Sequence, residues 1–184
     1  WIAAETSADV IVFCGVRFMA ETAAIVNPTR TVLLPEPAAG CGLAEMAGAE
    51  LIRRRRGELP ANTAVVSYVN TSAEVKAESD ICCTSANAVA VVESLPHEHI
   101  LFVPDRNLAS YVAEQTDKHI IPWDGHCYVH DPNISTGTVR ELKRLHPHAV
   151  AMAHPECNPA VRRLADFVGS TSQMLRYAAE SEKD

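Results

Sequence analysis

One short stretch, Gly125-His126-Cys127-Tyr128-Val129-His130, places a thiol and two imidazoles within five residues of one another. It follows the apolar run Ile120-Ile121-Pro122, which is typical of the end of a strand. Loops at the carboxyl ends of parallel strands are where open α/β sheets bind their ligands. Because thiolates and imidazoles bind metals and imidazoles transfer protons, this loop is a candidate metal or catalytic site.

The loop has a counterpart 86 residues earlier, where Cys41 also follows an apolar run that ends in proline. The same offset relates further polar residues, each in a short loop after an apolar run: Tyr68 and His154, Asn70 and Glu156, Thr84 and Ser170, Ser85 and Thr171. We interpret the constant offset as a duplicated module that carries corresponding site residues. Equivalent loops can meet at a pseudo-symmetry axis, so we expect Cys41 and Cys127 to face one cavity.

The two cysteines leave three interpretations open. Neither has a second cysteine two residues away, which excludes a local zinc knuckle. Thiolates from three equivalent loops could hold an iron–sulfur cluster with one iron free for substrate. A zinc hydrolase built on Cys127, His130 and Glu156 or His154 is the rival. In the third interpretation, Cys41 and Cys127 are ordinary buried residues of duplicated loops.

The remaining polar pairs suit acid–base chemistry and anion binding. His154-Pro155-Glu156 joins an imidazole to a carboxylate, which can transfer protons near neutral pH or form a structural ion pair. Alternation along a strand turns Tyr68 and Asn70 the same way, which suits binding of a small polar acid. Thr84-Ser85 and Ser170-Thr171 precede predicted helices, where hydroxyl and N–H groups bind an anion or simply cap the helix.

Composition narrows the class of protein. The 184 residues are 47% hydrophobic, as in a globular protein, and the net charge of −7 gives no reason to bind nucleic acid or an anionic membrane. The basic run Arg53-Arg54-Arg55-Arg56 suits the C-terminal end of a helix. No apolar stretch approaches the ~20 residues that span a bilayer, and no signal peptide is recognisable, so we expect a cytoplasmic protein.

Strand-like and helix-like runs alternate almost throughout, which predicts an α/β fold of three-layer αβα modules with parallel sheets. The offset places the modules about a pseudo-three-fold axis. Residues 1–34 would be the tail of a first module, 35–120 a complete second module and 121–184 a truncated third. Within them the pattern predicts one helix from Ala44 to Arg56 and a strand from Val150 to Ala153.

Several motifs together resemble the quinolinate synthase family over essentially the whole chain. They are Phe13-Cys14-Gly15-Val16-Arg17-Phe18-Met19-Ala20-Glu21, Tyr68-Val69-Asn70-Thr71-Ser72, Thr84-Ser85-Ala86-Asn87-Ala88, Pro104-Asp105-Arg106-Asn107-Leu108, Gly125-His126-Cys127, His154-Pro155-Glu156-Cys157 and Val168-Gly169-Ser170-Thr171-Ser172-Gln173-Met174. The resemblance implies a transferase that condenses iminoaspartate with dihydroxyacetone phosphate to quinolinate, in de novo NAD biosynthesis. It also implies a [4Fe-4S] cluster that acts as a Lewis acid, and L-aspartate oxidase or aspartate dehydrogenase as the supplier of iminoaspartate.

The resemblance also assigns roles to residues. Cys41 and Cys127 would be the first two cluster ligands. The proton transfers would involve Tyr68, His154 and Glu156. The residues that line the substrate site would be Tyr68, Asn70, Ser85, His130, His154, Glu156, Ser170 and Thr171.

The resemblance places parts of the family's site outside this sequence. The family's N-terminal segment would lie before Trp1, and its third cluster cysteine would lie beyond Asp184. We therefore expect residues 1–184 alone to bind iron poorly and to make no quinolinate. A non-catalytic module that binds small anions is the corresponding alternative.

Overall fold

The computed structural model describes residues 2–181, in which helices alternate with short strands. The α-helices of this range are α1 (Ile2–Glu5), α2 (Arg17–Ile25), α3 (Ala49–Gly57), α4 (Ala73–Ala77), α5 (Ala88–Ser94), α6 (Arg106–Ala113), α7 (Thr136–Leu145), α8 (Pro159–Arg162) and α9 (Thr171–Glu180). The strands are β1 (Val10–Val12), β2 (Thr31–Leu33), β3 (Thr63–Tyr68), β4 (Ile81–Cys83), β5 (His99–Val103), β6 (His119–Pro122), β7 (Met152–Ala153) and β8 (Phe167–Val168).

Every strand pair among the described residues is parallel, as the alternation of strands and helices predicted. The central sheet has the order β4-β3-β5-β6, while β1 pairs with β2 and β7 pairs with β8. Each connection from one strand to the next parallel strand runs through at least one helix in the central sheet. The α/β fold class predicted from the sequence is therefore confirmed.

Helices cover both faces of the central sheet, which makes it the middle of three layers. Strand β3 is buried along its whole length, and its side chains alternate between two hydrophobic clusters. Val66 packs with Val92 of α5 and Leu108 of α6 on one face. Val65 packs with Ile52 of α3 and with α4 on the other face. Each such side chain that is fully removed from water stabilises the fold by about 1.5–3 kcal/mol.

The strand registers repeat with the offset seen in the sequence. In the β3–β4 pair Val66 lies opposite Ile81, and in the β7–β8 pair Met152 lies opposite Phe167. Both partners of the second pair are therefore 86 residues beyond those of the first. The bounds of the three modules and the pseudo-three-fold axis stay predictions.

Two aspartates repeat the same local hydrogen bonds. The Asp80 carboxylate accepts from the Val65 N–H at 2.7 Å, and the Asp166 carboxylate accepts from the Ala151 N–H at 2.9 Å. In both cases the aspartate N–H donates back to the carbonyl of the same residue. Each aspartate lies immediately before a strand, β4 or β8, and its two hydrogen bonds hold the start of that strand beside the preceding segment.

The prediction of one helix from Ala44 to Arg56 is wrong. A 3-10 helix spans Ala44–Met46, and α3 begins only at Ala49. Ala47 and Gly48 between them are extended. The Met46 carbonyl accepts a hydrogen bond from the Trp123 indole at 2.9 Å and so is not available to continue the helix. The predicted strand from Val150 is also shorter, because β7 begins at Met152.

Among the described residues we found no helix whose length and apolar character would let it cross a bilayer.

Candidate active site

The loops that carry Cys41 and Cys127 lie against each other. The Trp123 indole donates to the Met46 carbonyl at 2.9 Å, and the His126 N–H lies 3.3 Å from the Met46 sulfur. Cys41 and Cys127 are both half-buried and pack against the same hydrophobic cluster. The 86-residue offset thus relates two loops that are in contact.

A buried carboxylate fixes the Cys127 loop to the amino end of α6. One oxygen of Asp105 accepts from the Leu108 N–H at 2.7 Å and caps α6, and the other accepts from the Cys127 N–H at 3.0 Å. The loop approaches so closely that a Cβ on Gly125 would collide with the Pro104 carbonyl. Burial raises the pKa of Asp105 to about 6, although the hydrogen bonds from these N–H groups oppose the shift.

Four side chains at the ends of three strands form a polar chain. The Tyr68 phenol interacts with the Ser85 side chain. His154 Nε2 lies 3.2 Å from Ser85 Oγ, and His154 Nδ1 lies 3.2 Å from Glu156 Oε2. Tyr68 ends β3 and Ser85 follows β4, whereas His154 and Glu156 follow β7. The arrangement gives a route for protons from one repeat to the other.

The polar chain continues to the thiol. His130 Nδ1 lies 3.5 Å from Glu156 Oε2 and 3.3 Å from Cys127 Sγ. The His130 and His154 rings are stacked with their centroids 5.0 Å apart. We call these six residues the site chain: Tyr68, Ser85, His154, Glu156, His130 and Cys127.

The proton on His154 Nδ1 decides which neighbour that nitrogen binds. When protonated, Nδ1 donates to the Glu156 carboxylate at 3.2 Å. When unprotonated, it accepts from the Glu156 backbone N–H at 3.3 Å. His154 can therefore exchange a proton with Glu156 without moving away from it.

Burial sets the protonation of two further members. It raises the pKa of the Tyr68 phenol, and the nearby Glu156 carboxylate raises it further, so Tyr68 keeps its proton at neutral pH. Burial lowers the pKa of His130, which outweighs the opposing effect of Glu156, and the neighbouring His154 lowers it further. His130 is therefore neutral at pH 7 and can use a ring nitrogen as a ligand or hydrogen-bond acceptor.

Two features of the site call for a ligand. Glu156 is only 3% exposed, and its Oε1 has no hydrogen-bond partner among residues 2–181. Burial also raises the pKa of the Cys127 thiol, with Glu156 and Asp105 adding to the effect of burial. A positively charged or hydrogen-bond-donating group would satisfy the Glu156 oxygen and favour the Cys127 thiolate.

A buried arginine supports the loop that carries Glu156. Arg162 of α8 is 5% exposed. One guanidinium nitrogen donates to the carbonyl oxygens of Pro155 and Cys157, at 3.2 and 3.0 Å. These carbonyls flank Glu156 in the chain, so Arg162 fixes the backbone on both sides of the catalytic candidate.

The same arginine ties that loop to α6 and to the residue that follows it. It donates to the Asn107 carbonyl of α6 at 2.9 Å and to the carboxylate of Glu114, the residue that follows α6, at 2.8 Å. Its guanidinium also lies 5.6 Å from the centroid of the Tyr111 ring. Helix α6 therefore positions both the Cys127 loop, through Asp105, and the Glu156 loop, through Arg162.

Four other residues predicted for the site lie outside the site chain. Asn70 lines a cavity of about 490 Å³ against α1 and α2, and Cys41 lines a cavity of about 180 Å³ with Arg17 and Glu21. Ser170 is buried and caps α9 through a reciprocal pair with Gln173. Thr171 is exposed at the start of α9. The binding roles of these four residues stay predictions.

Sequence reasoning missed the two positioning residues, Asp105 and Arg162. Helix α6 begins at Arg106, with Asp105 as its cap. An aspartate three residues before the first apolar helical position is an N-cap signal that could have identified it. Arg162 offered no such signal, because its acceptors are mostly backbone carbonyls.

Comparison with known proteins gives a consistent result. The family model described as quinolinate synthetase A protein matches residues 1–184. The quinolinate synthase of Desulforudis audaxviator is 56% identical over 180 residues, which are 97% of this chain and 59% of that protein. The quinolinate synthases of Geobacter sp. strain M21 and Methanosarcina barkeri are 54% and 55% identical over 179 residues, each covering 97% of this chain and 58% of the relative. The chain thus spans about three fifths of the length of these relatives.

Proposed function

The chain belongs to the quinolinate synthetase A protein family, and we propose that the complete protein condenses iminoaspartate with dihydroxyacetone phosphate to quinolinate. This reaction forms the pyridine ring for NAD biosynthesis, with loss of water and phosphate. An enzyme such as L-aspartate oxidase or aspartate dehydrogenase would supply the iminoaspartate.

The observation that carries the proposal is the site chain. It connects a hydroxyl, two imidazoles, a carboxylate and a thiol by contacts of 3.2–3.5 Å, and the Tyr68 phenol interacts with Ser85 at one end. The condensation must remove a proton next to an imine or carbonyl carbon, and its later steps protonate leaving oxygens. A carboxylate, an imidazole and a protonated phenol in one chain supply an acceptor, a relay and a donor for these steps.

The roles follow from the surroundings of each group. Glu156 would accept the proton from substrate carbon, because its Oε1 is unpaired while Oε2 is held by His154. His154 would relay a proton between Glu156 and Ser85. Tyr68 would donate to a leaving oxygen, since its raised pKa keeps the phenol protonated. Asn70, Ser170 and Thr171 are proposed to hold the carboxylates or phosphate of the substrates.

The residues present are compatible with the [4Fe-4S] cluster of the family. Two thiols stand in contacting, equivalent loops, both are half-buried, and neither is in a disulfide. Cys41 and Cys127 would supply two of the thiolates, and Asp105 would hold the Cys127 backbone in place. When bound, the cluster supplies a Lewis-acidic iron that polarises an oxygen of the substrate.

Of the two alternatives, the zinc hydrolase is the less well supported. A zinc hydrolase based on Cys127, His130 and Glu156 is not favoured, because the family and the relatives are those of quinolinate synthases. Residues 1–184 alone are still expected to form no quinolinate, because they cover about three fifths of the relatives' length.

The proposal is tested by assaying the complete natural protein for quinolinate. The protein is reconstituted anaerobically with iron and sulfide and is given both substrates. We expect quinolinate to form, and we expect Cys41→Ser and Cys127→Ser each to abolish both the iron–sulfur absorption and the product. Cys82→Ser is the control, since Cys82 is an exposed cysteine of β4. A wild-type protein that carries the cluster but forms no quinolinate would refute the proposal.

A further inference from the structure

Three donor atoms of the site chain are spaced like the ligands of one metal ion. Cys127 Sγ, His130 Nδ1 and one carboxylate oxygen of Glu156 all lie within 4.8 Å of one another. The Sγ–Nδ1 distance is 3.3 Å and the Nδ1–Oε2 distance is 3.5 Å. No other such group of three is present among residues 2–181.

The Sγ–Nδ1 and Nδ1–Oε2 separations fit tetrahedral zinc. Zinc lies ≈ 2.3 Å from sulfur, ≈ 2.0–2.1 Å from nitrogen and ≈ 2.0–2.2 Å from oxygen, which puts tetrahedral donors roughly 3.3–3.6 Å apart. The Sγ–Nδ1 distance of 3.3 Å and the Nδ1–Oε2 distance of 3.5 Å both lie in that range. A thiolate and a carboxylate together would also neutralise the charge of Zn²⁺.

A second observation points to a cation at this place. Only 3% of the Glu156 surface is exposed, so the side chain is 97% buried. Its Oε1 nevertheless has no hydrogen-bond partner among the described residues. His154 Nδ1 lies 3.2 Å from the ligating oxygen and can orient it, as outer-shell groups do in zinc sites.

We infer that Cys127, His130 and Glu156 form a Zn²⁺ site with a fourth position open to water or a small anion. Because Cys127 is shared, zinc at this site and a cluster on Cys41 and Cys127 exclude each other. The competition rests on the proposed function, whereas the zinc site rests on the geometry of the three side chains. Zinc binding would therefore prevent assembly of the cluster.

The test uses the complete protein, freed of metal and reduced. Its affinity for Zn²⁺ is measured by competition with a chromophoric chelator. We expect one zinc per chain at a site that Co²⁺ also fills, with a sulfur-to-cobalt charge-transfer band. Cys127→Ser should abolish that band. His130→Gln and Glu156→Gln should each weaken zinc binding by more than the roughly 10–100-fold that loss of an outer-shell partner costs.

Two control variants define the ligand set. Cys157→Ser removes a nearby buried cysteine that is not in the triad, and it should leave zinc affinity unchanged. His154→Gln should weaken binding by roughly 10–100-fold without changing the cobalt band. Circular dichroism of every variant shows whether the fold is retained.

Cys41→Ser separates this inference from the proposed function. Cys41 is outside the triad, so the variant should bind zinc as the wild type does although it cannot assemble the cluster. Zinc added before reconstitution should block cluster assembly in the wild type, and His130→Gln should relieve that block. Zinc binding that depends on Cys41, or that survives Glu156→Gln at full strength, would overturn the zinc site while leaving the proposed function intact.

Discussion

The variant Glu156→Gln of the complete protein is expected to form quinolinate about 10²–10⁴-fold more slowly than the wild type, in kcat/KM. The substitution keeps the size of the side chain but removes the carboxylate that would take a proton from substrate carbon. The loss should be measured with the cluster present at wild-type level, because Glu156 is not proposed to hold the cluster. Loss of the carboxylate should also lower the pKa of Tyr68, since Glu156 is one cause of its rise.

A matched control for this variant is Glu141→Gln. Glu141 makes the same kind of charged contact, with Arg144 at 2.8 Å, but both side chains are more than half exposed. Such surface pairs contribute about 0–1 kcal/mol, so this variant should keep full activity and stability. Equal activity of Glu156→Gln and Glu141→Gln would exclude Glu156 from the chemistry.

The variant Arg162→Met is expected to lower the free energy of unfolding of the complete protein by about 3–5 kcal/mol. Methionine leaves the carbonyls of Asn107, Pro155 and Cys157 without the donor they have in the buried interior. Arg162→Lys should recover only part of the loss, because an ammonium group cannot reproduce the planar fork of a guanidinium. Urea unfolding gives the differences directly, through the shift in midpoint at constant slope.

The neighbouring arginine provides the control for Arg162. Arg163 is exposed and lies in the same turn of the chain, so Arg163→Met should change stability by no more than about 0.5 kcal/mol. If Arg162→Met were no more destabilising than Arg163→Met, Arg162 would not support the Glu156 loop. A stable Arg162→Met protein with reduced kcat would instead show that Arg162 positions the loop without holding the fold together.

Much of the site could be predicted from the sequence because it depends on strand ends. Tyr68 and His154 end or follow equivalent parallel strands, and the carboxyl ends of such strands carry the ligand-binding loops. The offset pairs Tyr68 with His154 and Ser85 with Thr171, and the side chains of Ser85, His154 and Glu156 lie together.

The remaining features depend on contacts between distant segments. The break at Ala47 and Gly48 follows from the bond between the Trp123 indole and the Met46 carbonyl, which are 77 residues apart. Arg162 reaches the Asn107 carbonyl 55 residues away. Bonds from a side chain to distant backbone groups leave no pattern in the local sequence, so neither feature could be predicted.

The roles of polar residues at helix starts were the hardest part of the site to decide from the sequence. Ser170 could bind an anion or cap a helix on sequence alone, and in the structure its hydroxyl accepts from the Gln173 N–H at 3.4 Å. The Gln173 side chain in turn accepts from the Ser170 N–H at 2.8 Å. A substrate carboxylate or phosphate near Ser170 would have to compete with this reciprocal cap.

The claim that residues of two sequence repeats act in one catalytic site is tested most directly by a double-mutant cycle. Quinolinate formation by the complete protein is measured as kcat/KM for the wild type, Tyr68→Phe, Glu156→Gln and the double variant. Because the phenol and the carboxylate interact and belong to one proton route, we predict a coupling energy of 0.5–3 kcal/mol. Effects that add to within about 0.3–0.5 kcal/mol would mean that the two groups act independently, and would contradict a shared site.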